Sequence, residues 1–261
     1  MVANGVYKKM NNIPSEIIII GGGSSINEGI SLGLKDRIKD KFVVLCNFAF
    51  YHFDGTFLTF IDHEFYSGFL KSNTNPPVMI QNKEHREKII QFPLIIGHET
   101  NQTKTLKVPN TILLKSASTY TRDLSKGIYN SHLVGIFSLT LACWLMDFKG
   151  KIFLCGYDYS HRTPEQIQNK EKAKTHYYSE KELNHRGIGY TNFYEKHKSS
   201  NYFSCYLQEK NIKIYNVSLN SNIGEFEKIN YPTMFDLLDD VRYDQEELRE
   251  LIKNKIIRAL L

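Results

Sequence analysis

Seven short apolar runs punctuate the chain: EIIII (16–20), FVVLC (42–46), FLTFI (57–61), PLIIG (93–97), TILLK (111–115), KIFLC (151–155) and IKIYNV (212–217). They have strand length, sit between turn signals and carry little polar alternation, which predicts strands covered on both faces, as in a parallel sheet. Helical patterns fit between several of them, over roughly 26–38, 131–147 and 200–210. Strands alternating with helices predict an α/β fold: Rossmann-like, with a mostly parallel sheet flanked by helices. The most apolar stretch, LVGIFSLTLACWLMDF (133–148), falls short of the roughly 20 residues that span a bilayer. It reads as a helix buried on all sides.

The rhythm breaks between about 160 and 199, where the chain is polar and rich in Lys, His and Tyr. A long polar insertion in an α/β body predicts a lid or binding loop. The tail, 241–261, reads as an amphipathic charged helix that docks on the body or on another subunit. The expected organisation is therefore an N-terminal extension (1–15), a nucleotide-binding body (16–240) carrying the lid, and the C-terminal helix. Residues 1–15 are polar and lack the apolar core of a signal peptide, so the expected location is cytoplasmic.

Composition changes this picture little. The 261 residues are 41% hydrophobic and 23% charged, with a formal net charge of +5. Charges of both signs are interspersed, which gives no strong nucleic-acid signal but leaves room for an anionic ligand. The four cysteines have no metal-type spacing and lie in apolar runs, as buried free thiols do.

The candidate chemistry starts where the first apolar run meets Gly21-Gly22-Gly23-Ser24-Ser25. A strand feeding a glycine turn and a helix offers backbone N–H groups to a phosphate. Ile26 stands where a dinucleotide fingerprint needs its third glycine, and no Gly-Lys-Ser/Thr follows, so neither that fingerprint nor a P-loop is present. Ser25 and Glu28 have capping-box spacing, which predicts a helix starting near Ile26. In a parallel sheet, residues just after each strand gather with this turn at one edge. They are Asn47, Asp62 with His63, Gly156-Tyr157-Asp158, and Asn216 with Ser218. In the polar insertion, Tyr177, Tyr178 and His185 lie close together, followed by Arg186 and a Gly187-x-Gly189 turn. A histidine there can accept a proton, and tyrosines can hold a leaving phosphate.

In order and spacing, residues 16–226 resemble the bacterial sialyltransferases of glycosyltransferase family 42. More broadly they resemble the Rossmann-like superfamily shared with the MptE-like 6-hydroxymethylpterin diphosphokinases. GGGSS stands in the place of the family's G-N-G-P-S loop. Cys46-Asn47-Phe48-Ala49-Phe50-Tyr51 stands for its C-N-x-F-Y motif. GIFSLTLACWLMDF leading into IFLCGYDYS stands for its buried helix and the following S-G-x-D-F strand end, and THYYSEKELNHRGIGYTNF stands for its Tyr/His lid. Three positions depart from the sialyltransferases: Gly22 replaces a nucleotide-binding Asn, Asp62 replaces an Asn, and NSHLVG replaces a T-S-G turn.

The resemblance implies a transferase that moves a sugar, sialic-acid-like or other, from a nucleotide-activated donor to an acceptor hydroxyl on a glycan or other molecule, with inversion. It implies His185 as general base and Tyr177 and Tyr178 on the leaving phosphate. Gly21, Gly22, Gly23, Ser24, Asn47, Asp62, Gly156 and Asp158 would line the nucleotide. No cofactor or metal is required on this reading, and a homo-oligomer is expected. The diphosphokinase branch implies instead an ATP enzyme in which Asp62, with Asp158, holds Mg²⁺. A non-catalytic nucleotide- or glycan-binding protein of the same fold is the third expectation.

Overall fold

Each of the seven apolar runs contains a strand. In the computed structural model, which describes residues 10–61, 90–105, 109–159 and 202–261, the strands are β1 (Glu16–Ile20), β2 (Val43–Cys46), β3 (Phe57–Phe60), β4 (Ile95–His98), β5 (Thr111–Leu114), the short pair β6 (Ser116–Ala117) and β7 (Ile128–Tyr129), then β8 (Gly150–Cys155), β9 (Ile212–Val217) and β10 (Glu227–Lys228). Eight of them form one sheet in the order β10-β9-β8-β1-β2-β3-β4-β5. Every pairing in it is parallel. The chain runs outward from β1 to β5, then returns to lay β8 on the other side of β1. The reversal makes the gap between β1 and β8 the topological switch point of a doubly wound sheet.

The isoleucine run explains the centre of the molecule. Ile17 and Ile19 enter one core while Ile18 and Ile20 enter the other. All four are buried, and each contributes about 1.5–3 kcal/mol of apolar burial. On the first face lie α4 (Val134–Leu145) and α6 (Gln245–Leu260). On the second lie α1 (Ile26–Ser31), α2 (Leu34–Ile38) and α5 (Tyr231–Leu237). A short helix, α3 (Asn101–Thr105), follows β4.

α4 is buried on nearly every side, as its all-apolar pattern predicts. Its two hydroxyls are satisfied within the protein: Ser138 donates to the Val134 carbonyl at 2.7 Å, and Thr140 to that of Ile136 at 2.9 Å. α6 buries Leu248, Ile252 and Ile256 at i, i+4, i+8 spacing. Its Lys255 ammonium donates to the Leu145 carbonyl at 2.9 Å and pairs with Asp147 at 2.6 Å, placing a cation at the carbonyl end of α4.

The helix expectations need three corrections. The pattern over 26–38 is two helices, broken where Gly33 takes a left-handed conformation with φ +84°. The capping box does not form, because the Ser25 side chain turns to Asp158 instead of to the helix. The segment expected as a helix over 200–210 is a 3₁₀ turn at Ser204–Gln208. It is pinned by Tyr206 to Thr140 at 2.6 Å, and by Glu209 to Tyr120 and Arg122. The polar insertion lies outside the described residues. Among the described residues, no helix is long and apolar enough to cross a membrane.

Cys46, Cys143 and Cys155 are buried and Cys205 is half-buried, all as free thiols. Burial raises the first three above the ordinary thiol range and pushes Cys205 up to about 12. The thiolate is the reactive form. Titration with a disulfide reagent at pH 8 is therefore expected to find all four slow in the native protein, Cys205 least so, and all four fast in guanidinium. A native thiol reacting at the free-cysteine rate would contradict this packing.

Candidate functional site at the switch point

Past its last strand residue, β1 stays bound to β8. The Gly21 N–H donates to the Cys155 carbonyl at 2.7 Å, and the Gly23 N–H to that of Gly156 at 2.8 Å. The approach is too close for side chains. A Cβ at Gly21 would lie 2.7 Å from the Gly156 carbonyl oxygen, and one at Gly23 would lie 2.6 Å from that oxygen and from the Asp158 carboxyl carbon. Two of the three glycines are thus required by packing between strand exits. The N–H groups of Gly22 and Ser24 have no hydrogen-bond partner among the described residues.

Asp158 closes the turn from the β8 side. It is 5% exposed. One carboxylate oxygen accepts the Ser25 N–H at 2.7 Å and the Ser24 hydroxyl at 3.3 Å, and the other accepts the Ser25 hydroxyl. The protein's own carboxylate therefore occupies the amide just before α1, where the sequence pattern would seat a phosphate. The free donors of the turn are one and three residues earlier, at Ser24 and Gly22.

Beside this lock, between the exits of β1, β8 and β9, opens a cleft of 340 Å³. Its lining includes Ser24, Glu28, Asp158, Ser218, Asn220 and Tyr231. Burial, then the neighbouring Cys155 and Asp158, raises the Tyr231 phenol well above its ordinary range, so it is a neutral hydroxyl. Asn216 lies beneath the cleft rather than in its lining. It is buried and donates to the Tyr157 carbonyl at 3.2 Å and to Ser221 at 2.8 Å.

Gly21, Gly23, Ser24, Gly156 and Asp158 thus form one interlocked unit, with Gly22 at its apex. Asn47 stands one strand away, just beyond β2, in a left-handed conformation with φ +44°. Its side-chain oxygen is buried without a hydrogen-bond partner, the condition of an acceptor that a ligand donor would satisfy. Cys46, next to it, sits in a polar nest with Ser138 at 3.1 Å and Tyr157 at 3.8 Å. Asp62, Tyr177, Tyr178 and His185 lie outside the described residues. Among those residues, no group of three or more His, Cys, Asp or Glu side chains is placed to hold a metal ion.

Sequence reasoning passed over a second polar group on the same edge. β4 ends in His98, whose Nε2 lies 2.6 Å from the Ser116 hydroxyl. Asn130 donates to that hydroxyl at 2.7 Å. The signal was available, because His98 directly follows PLIIG and Ser116 directly follows TILLK. The strand-end rule that selected Asn47 and Asp158 selects both.

A parallel, doubly wound sheet with a polar cleft at its switch point defines a Rossmann-like α/β protein. No family model matches the sequence, and no curated protein does. Among solved structures, the MAf glycosyltransferase from Magnetospirillum magneticum AMB-1 is similar, with 12% sequence identity and a TM-score of 0.49. The similarity covers 98% of this chain and 38% of that one.

Proposed function

We propose that the protein is a glycosyltransferase that binds a nucleotide-activated sugar at the switch point. The observation that carries this reading is the cleft itself: hydroxyls, amides, carboxylates and the Tyr231 ring line it at the edge where open α/β sheets take ligands. Carboxylate and amide oxygens accept from the hydroxyls of a ribose or hexose, and an aromatic ring covers their apolar faces. The order of motifs shared with the family 42 sialyltransferases supports the same reading. In the proposed reaction an acceptor oxygen displaces the nucleotide's phosphate oxygen from the anomeric carbon with inversion. The unpaired N–H groups of Gly22 and Ser24 supply hydrogen bonds to the charge that builds on that leaving oxygen.

Thermal denaturation with CMP, CDP, UDP, GDP and ATP, each with and without Mg²⁺, tests the reading. A nucleotide present at a hundredfold its Kd adds about 2.7 kcal/mol of stability, which for a chain of this size raises Tm by roughly 5–10 °C. One base is expected to stand out. No shift with any of the five nucleotides would overturn the proposal. A shift with ATP alone, and only with Mg²⁺, would move it to the diphosphokinase branch.

A further inference from the structure

The switch-point cleft is charged the wrong way for a phosphate. Among the described residues its lining holds two carboxylates, Glu28 and Asp158, and no Lys, Arg or His. A phosphate is anionic and only accepts, so it needs donors and cations around it, whereas a hydroxyl both donates and accepts. The lining offers both roles to a neutral ligand. The Glu28 carboxylate, on the first turn of α1, has no ion-pair or hydrogen-bond partner among the described residues. The buried Ser218 hydroxyl has none either. Asn230 caps α5 by accepting the Thr233 N–H on its side-chain oxygen at 2.9 Å, which leaves its NH₂ as an uncommitted donor.

Tyr231 adds a buried group that nothing in the protein completes. The residue is 1% exposed, and its phenol oxygen has no hydrogen-bond partner, a state that costs stability until a partner arrives. A glycine brings it beside Glu28. A Cβ at Gly29 would lie 2.5 Å from the Tyr231 ring, so the ring packs on the backbone of α1 one residue beyond the carboxylate. The cleft also has an apolar side, made by Val217, Leu219 and Ile229, and Leu219 is 59% exposed. An open leucine inside a ligand cleft offers a face to a flat ring. The volume, 340 Å³, lies at the small end of the range of about 300–1,000 Å³ for ligand pockets, which suits one part of a nucleotide-sugar rather than all of it.

We propose that the cleft is the nucleoside subsite and that Glu28 reads the ribose, an inference that rests on the glycosyltransferase reading. The phosphate stays outside, on the Gly22 and Ser24 amides. The 2′- and 3′-hydroxyls donate to the two oxygens of the Glu28 carboxylate, and the Tyr231 phenol donates back to one of them. The base lies against Leu219 with its polar edge toward Ser218 and Asn230. The transferred sugar also carries hydroxyls, but the ribose alone carries a base, and the apolar side of the cleft is what a base needs. The transferred sugar then leaves the phosphate on the other side of the turn, toward Asn47 at the end of β2.

The test uses the full chain with CMP, CDP, UDP, GDP and ATP, each beside its 2′,3′-dideoxy form, and reads Kd by calorimetry. For whichever base binds, the wild type is expected to bind the dideoxy form about tenfold or more weaker, because a site built to hydrogen-bond a hydroxyl rejects the analogue without it. Glu28→Ala, at an exposed position, is expected to keep the ligand-free Tm. It should weaken the ribonucleotide about tenfold and shrink the dideoxy penalty to about threefold or less, since those hydroxyls have lost their partner. Tyr231→Phe removes an oxygen without a partner, so it should keep the ligand-free Tm and weaken the ribonucleotide by about threefold or more. A smaller wild-type penalty, a penalty that Glu28→Ala leaves intact, or unchanged affinity in Tyr231→Phe overturns the ribose assignment and leaves the nucleotide reading standing. If Glu28→Ala spares the nucleotides but weakens UDP-glucose, GDP-mannose or CMP-N-acetylneuraminate, the cleft takes the transferred sugar and the assignment is again overturned. Binding of none of the five nucleotides overturns the glycosyltransferase reading, and the ribose site with it.

Discussion

Glu16→Gln is expected to lower the free energy of unfolding by about 3 kcal/mol, read as a fall in the urea midpoint at constant m-value. Glu16 opens β1 and is 5% exposed. Its carboxylate lies 2.7 Å from the Lys151 ammonium and 3.8 Å from that of Lys41, and it accepts the Asp239 N–H at 3.3 Å. Lys41, itself 6% exposed, reaches one further carboxylate, that of Asp239 at 3.2 Å. Neutralising Glu16 leaves a buried ammonium short of counter-charge, and breaking a buried pair from one side costs about 3–5 kcal/mol. The surviving Asp239 contact sets the low end of that range. Glu16→Leu combined with Lys41→Met is expected to recover at least half of the loss, because it removes the two buried charges together and leaves only Lys151 and Asp239, both reached by solvent, without their partners. A single-variant effect below 1 kcal/mol would show that the network is solvated.

Gly23→Ala is expected to cost about 3 kcal/mol and to abolish the nucleotide-induced rise in Tm. The new methyl would meet the Gly156 carbonyl oxygen and the Asp158 carboxyl carbon at 2.6 Å. Overpacking of this kind costs about 1–3 kcal/mol. The carboxylate can retreat only by giving up Ser24 and Ser25, and hydrogen bonds to a charged group contribute about 1.5–3 kcal/mol. Displacing the turn also moves the two free N–H groups on which the proposed nucleotide site relies. Gly224→Ala is the control: its Cβ would meet nothing within 4 Å, so its stability should change by less than 1 kcal/mol. If Gly23→Ala kept both stability and nucleotide response, the interlock would have no functional weight.

The central strands were legible because burial on both faces leaves no room for polar alternation. EIIII and IKIYNV coincide with β1 and β9 at both ends. The edge was legible too, since parallel strands put Asn47, Asp158 and the glycine turn on one side wherever the helices fall. The use of the glycines was not legible. GGGSS reads the same whether its amides face a phosphate or a neighbouring strand, and only the position of β8 shows that Gly21 and Gly23 face the strand. Asp158 as the acceptor for Ser25 was hidden for the same reason, because a local capping partner, Glu28, sits at the right spacing in sequence. His98 and Ser116 were missed, although the rule already applied to β2 and β8 reaches them.

The placement of β1 between β2 and β8 sets a schedule for the chain as it is made. One flank of β1 is satisfied early, when Ile18 meets Val43, but the other waits until residue 17 can find residue 152. Until then, four consecutive isoleucines with one open ladder edge stand ready to pair with any similar strand, the feature that seeds cross-β association. In so distant a parallel pairing the loop-closure entropy is lost before any contact offsets it, so the pairing comes late and slowly. Truncations ending before β8 should therefore aggregate through residues 16–20, whereas chains reaching Cys155 have the strand that shields them.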